Sequence, residues 1–137
     1  MKIKVLYIMP NKEVQKIKIP RNMKFIKALI GNELLRIKIN ENTMIIADKN
    51  ADITEFNRIF KDSIIRGTFI VVSIKNKRRV TMTKREIRRY ANMFKLKKHK
   101  RKIELYKEEY LEKYYLNETQ MREKAIKENK GITSKVA

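Results

Sequence analysis

Between Lys75 and Lys102 the chain carries fourteen Lys and Arg residues and a single acid, Glu86. These are the side chains whose type and spacing could do chemistry, and that chemistry is electrostatic. Arg78, Arg79, Lys84, Arg85, Arg88 and Arg89 come first, then Lys95, Lys97, Lys98, Lys100, Arg101 and Lys102. An arginine fork matches two oxygens of one phosphate, and a lysine supplies a mobile point charge that tracks a phosphate backbone. A face that is merely solvated usually mixes both signs. Crowded like charges also destabilise a fold unless a counter-charge arrives. We therefore read the twelve residues as contacts to a polyanion, with nucleic acid or a ribonucleoprotein as the expected partner.

No reaction is legible beside that surface. The chain has no Cys, which excludes disulfides and zinc-thiolate sites. His99, the only histidine, sits inside a lysine run and reads as part of the basic surface. Ser63, Ser73 and Ser134 have no histidine near them in sequence to act as a base. Asp48 and Asp52 read as a solvated loop pair and not as metal ligands. Gly31, Gly67 and Gly131 are too far apart to form a phosphate-cradling loop. The expectation is a non-enzymatic protein with no cofactor and no metal. No apolar run approaches the roughly 20 residues that cross a bilayer, and the first residues lack a secretory pattern, so a cytoplasmic location is expected.

The elements that must position the basic side chains come next. Thr83-Lys84-Arg85-Glu86 matches a capping box, with Thr83 and Glu86 each serving the other's backbone N–H. A helix begun there puts Ile87, Tyr90, Ala91 and Phe94 on one apolar face and the cations on the other. Upstream, residues 2–8 and 14–19 read as a hairpin around Pro10-Asn11-Lys12. Asn22 caps a short helix, Met23 to Ile30, whose buried stripe is Phe25, Ile26, Leu29 and Ile30, with Gly31 as a left-handed terminal residue. Residues 35–39 and 43–47 read as a second hairpin. Residues 53–60 fit helical spacing and are assigned to a helix or turn. Residues 64–74 read as one central strand covered on both faces, with a bulge near Gly67. Residues 78–82 read as a last strand.

From Leu96 nothing interrupts a helix until Gly131. Ile103, Tyr106, Tyr110, Tyr114 and Met121 form a loose stripe along it, expected to pack on a partner helix or on the chain's own sheet. The last residues, 131–137, read as a flexible tail. The fold class is α+β: a small, mostly antiparallel sheet with one or two packed helices, then a long C-terminal helical extension. The division is 1–94 for the sheet domain, 95–130 for the extension and 131–137 for the tail.

Three short elements occur in a recognisable order: Asn57-Arg58, then Ile65-Arg66-Gly67-Thr68-Phe69-Ile70-Val71-Val72, then Val80-Thr81-Met82-Thr83-Lys84-Arg85-Glu86-Ile87. With the opening hairpin and the helix ending at Ile30-Gly31, they resemble the domain of unknown function 3846 over residues 1–92. That resemblance implies an origin on phage or plasmid DNA. It brings no catalytic residues. Three functions follow as expectations: nucleic-acid binding through residues 75–102, inhibition of a host defence complex in the manner of an anti-CRISPR, or self-association through the tyrosine-bearing helix.

Overall fold

The computed structural model describes residues 1–128, with side chains through Lys113. The side chains of Tyr114 and Met121, and the 131–137 tail, lie outside what is described. Five strands, β1 (Lys2–Ile8), β2 (Gln15–Pro20), β3 (Leu34–Asn40), β4 (Thr43–Asp48) and β7 (Phe69–Lys75), form an antiparallel sheet in the order β2-β1-β7-β4-β3. A short β8 (Arg78–Val80) extends it by pairing with the end of β7. Two strands, β5 (Phe56–Phe60) and β6 (Ser63–Arg66), form a separate hairpin. Helices α1 (Met23–Ile30), α2 (Lys84–Met93) and α3 (Leu96–Glu128) complete the described chain. The fold is α+β, as the sequence implies.

Strand alternation divides the core into two halves. Leu6, Ile8, Ile45, Ala47, Phe69 and Val71 point to one face, where Met82, Tyr90 and Phe94 pack on them. Ile3, Val5, Ile46, Ile70 and Val72 point to the other, under Ile26 and Ile30 of α1. The sheet is thus covered by α2 on one side and α1 on the other, and β7 is central and buried from Phe69 to Ser73.

Both predicted hairpins pair in register, Val5 against Ile17 and Ile37 against Ile45. Four local readings need correction. Phe25 of α1 is exposed and does not join the buried stripe. Gly31 has φ 156°, outside the left-handed helical region. Glycine is favoured there because L side chains rarely adopt that φ, and a Cβ would also displace the Asp48 carboxyl, 2.6 Å away. Residues 56–60 are a strand and not a helix. The single strand expected over 64–74 is two, β6 and β7, separated at Gly67 with φ 72°.

The chain divides into two compact units, Met1–Ile103 and the remainder from Glu104. The first unit contains the sheet, α1, α2 and the opening turns of α3. Ile103, expected to pack on a partner helix, is buried at 4% exposure within this unit, so its own chain covers it. In the second unit Tyr106 and Tyr110 are half-buried, and Leu105 and Leu111 are exposed.

Candidate nucleic-acid interface

The capping box at the start of α2 is present in full. The Glu86 N–H donates to Thr83 Oγ1 at 3.1 Å, and the Thr83 N–H donates to Glu86 Oε1 at 2.9 Å. The second carboxylate oxygen accepts from Ser73 Oγ at 2.6 Å, which ties the helix start to the central strand. Burial alone would raise the Glu86 carboxyl. The hydrogen bonds from Ser73 and Thr83 outweigh it and hold the group below its usual value. The one acid of the basic stretch is therefore turned inward, onto the cap and the sheet. Further along, Tyr90 Oη accepts from Asn40 Nδ2 at 2.8 Å and from Thr43 Oγ1 at 3.1 Å, which fixes the middle of α2 on the β3–β4 hairpin.

With Tyr90 and Phe94 buried and Ile87 and Ala91 half-buried, the opposite face of α2 carries Lys84, Arg85, Arg88 and Arg89 to solvent. The first turns of α3 repeat the arrangement. Leu96, His99 and Ile103 are the covered positions, while Lys97, Lys98, Lys100, Arg101 and Lys102 are exposed. Lys98 Nζ donates to Asn92 Oδ1 at 3.0 Å, so the cationic face of α3 begins where that of α2 ends.

Of the twelve residues proposed from sequence, eleven are exposed. Arg79 is the exception. Arg78 and Val80 lie opposite Lys75 and Ser73 on β7, and Ser73 is bonded to α2, so Arg78 is on the α2 side of the sheet. Arg79 lies opposite Ile74 and faces the α1 side, where it is half-buried. Eleven of the residues thus reach solvent, while the twelfth lies half-buried on the α1 side of the sheet.

Two polar residues, noted in the sequence only as part of the family resemblance, do much of the positioning. Arg58 is fully buried. Its Nε donates to the Phe94 carbonyl at 2.7 Å, its Nη1 to Asn57 Oδ1 at 2.9 Å, and its Nη2 to the Lys12 carbonyl at 2.6 Å. Asn57, also fully buried, donates through Nδ2 to the carbonyls of Ile8 and Gly67 at 2.9 and 2.7 Å. Together they join the β5–β6 hairpin to β1, to the start of β7 and to the end of α2. Burial lowers the proton affinity of Arg58, and Glu13 opposes that shift. A guanidinium nonetheless stays charged at neutral pH, and carbonyl oxygens satisfy it here in place of a carboxylate.

His99 also departs from the sequence reading. It is buried, not part of the basic surface. Its Nδ1 accepts from the Ile59 N–H at 3.2 Å, and its Nε2 lies 2.8 Å from the Met93 carbonyl. An N–H donor on one side and a carbonyl on the other fix a neutral ring protonated on Nε2. Its ring stacks on Phe94 at 6.0 Å between centroids. It locks the first turns of α3 against β5 and the end of α2.

The Asp48 and Asp52 carboxylates are engaged in turns. Asp48 accepts from the Asn50 N–H, and Asp52 accepts from the Thr54 N–H and hydroxyl, which holds Asp52 below its usual value. Among the described residues no three His, Cys, Asp or Glu groups are placed to hold a metal, and no helix is long and apolar enough to cross a membrane.

A family model described as "Domain of unknown function (DUF3846)" matches residues 1–95. The chain belongs to the DUF3846 family. No curated protein and no solved structure matches it. The DUF3846 match takes in the sheet, α1, α2 and the Asn57–Arg58 network, and it ends just before α3. The cationic surface therefore has two parts: Arg78 to Lys95 inside the DUF3846 domain, and Lys97 to Lys102 beyond it.

Proposed function

We propose that this protein binds nucleic acid without catalysing a reaction, through the exposed cationic faces of α2 and the opening turns of α3. One observation supports the reading most directly. Every cation on these two helical segments is exposed while the one acid among them is drawn inward. Such a face presents uncompensated positive potential to solvent. The side chains suit phosphate contact, which sets position and affinity without reading sequence. An origin on a phage or plasmid, and action in the host cytoplasm, belong to the same proposal.

Fluorescence anisotropy of labelled RNA and DNA duplexes, titrated across salt, tests it. If about six phosphates are neutralised, log affinity falls with log salt at a slope of about −5. Replacing Arg88 and Arg89 with Gln removes two charges and flattens the slope by roughly 2. A salt-independent affinity, or no binding at low salt, overturns the reading. Copurification from the host separates it from a defence-inhibitor role, because a protein partner that survives nuclease treatment favours the inhibitor.

A further inference from the structure

The α1 face of the sheet carries a second group of cations that the α2 surface does not use. On β3, Arg36 and Lys38 lie directly opposite Ile46 and Met44 of β4. On β8, Arg79 lies opposite Ile74 of β7, and Lys77 is in the turn between those strands. Residues directly opposed in an antiparallel pair share a face. The four cations therefore fringe an apolar floor made by Met44, Ile46 and Ile74. They enclose a groove of about 540 Å³, with Glu41 as the one acid on its lining.

Arg79 is the most telling member. Its Nη2 donates to the Arg21 carbonyl at 2.9 Å, while its Nε is buried with no hydrogen-bond partner. Burial lowers its proton affinity, and the like charges of Arg36 and Arg21 lower it further. A guanidinium has five N–H donors. Here the Nε–H is unanswered and the whole group is held among other cations. A bound anion relieves the crowding of like charge around Arg79.

We propose that this groove binds a nucleoside phosphate, its phosphate held by Arg36, Lys38, Lys77 and Arg79 and its base laid on Met44 and Ile74. The floor argues against a bare inorganic anion, which gains nothing from the half-buried Met44 and Ile74. The volume lies in the range of small-molecule sites, roughly 300–1,000 Å³. Asn42 and Asn76 line the same groove, and a carboxamide both donates to and accepts from the edge of a base. The groove is on the opposite side of the sheet from α2, so it stands or falls apart from the proposed nucleic-acid interface.

Isothermal titration of the full chain with adenosine 5′-monophosphate, adenosine and inorganic phosphate tests the assignment. The monophosphate binds one to one and more tightly than either fragment. Arg36→Gln and Arg79→Gln each weaken it by about tenfold or more, the loss of one charge-assisted contact. Arg36 is exposed on an edge strand, so its replacement leaves the core intact even where that of Arg79 disturbs folding. Arg88→Gln leaves the affinity unchanged. Absence of binding at millimolar monophosphate, equal affinity for inorganic phosphate, or an Arg36→Gln variant that binds like the parent would each overturn it.

Discussion

A single histidine shows how far a side chain's setting can depart from its neighbours in sequence. His99 has lysines on both sides and still turns inward, because the helical positions Leu96, His99 and Ile103 are the covered ones. Its proton affinity is lowered, first by burial, and also by the charges of Arg58, Lys102 and Lys98. The Met93 carbonyl acts in the opposite direction. Protonating Nδ1 would also set an N–H against the Ile59 N–H. The folded state thus binds this proton less readily than the unfolded chain, whose histidine titrates near 6.5. The stability linked to His99 is complete above about pH 6.5 and is lost as pH falls from there through the folded value. Glu86 and Asp52, with lowered values, lose their contributions only near and below the ordinary carboxylate range, so the two windows separate. Urea midpoints measured from pH 7.5 to about 5.5 should fall in the parent and fall less in His99→Gln. Parallel trends in the two proteins would show that His99 is not the titrating group.

At the scale of elements, what was legible was local. Asn22 before α1, the Thr83–Glu86 box and the β1–β2 and β3–β4 hairpins are each decided within a few residues, and each forms as read. The β5 strand was hidden because the ladder shifts register between Phe56 and Arg58. Three successive residues, Phe56, Asn57 and Arg58, are therefore buried, and no alternation survives to mark a strand. The break between β6 and β7 falls at Arg66-Gly67-Thr68, between two apolar stretches that read as one strand. Gly67 makes that break possible. It has φ 72°, and a Cβ on it would come within 2.8 Å of the Ala51 Cβ. Its carbonyl also accepts from buried Asn57. Gly67→Ala should cost about 1–3 kcal/mol, combining left-handed strain with the collision. Adding Ala51→Gly should recover the collision's share and leave the strain. Chemical denaturation of the single and double variants measures both parts, and a Gly67→Ala protein as stable as the parent would refute the account.

Across the whole molecule, charge is the dominant fact, and its two concentrations were not equally visible. The α2–α3 surface is contiguous in sequence and could be read as a run of residues. The groove on the other side draws Arg36 and Lys38 from β3 and Arg79 from β8, which meet only because β7 and β4 lie between them in the sheet. Together with the rest of the chain these cations make a net charge of +20. Such an excess acts against compactness, since like charges separate on unfolding. Salt weakens that repulsion by shortening the screening length from about 30 Å at 0.01 M to about 8 Å at 0.15 M. Thermal unfolding should therefore shift upward between those concentrations of NaCl by roughly 5 °C, equivalent to about 1 kcal/mol in a domain of this size. Replacing Lys97, Lys100, Arg101 and Lys102 with Gln should raise the melting temperature at low salt and reduce the gain on adding salt. These four side chains are exposed on the first turns of α3, so the substitutions leave His99 and Ile103 in place. A melting temperature insensitive to salt, or a variant with the parent's full salt response, would mean that the cations are already neutralised within the folded chain. The nucleic-acid interface would then lose the open positive field that supports it.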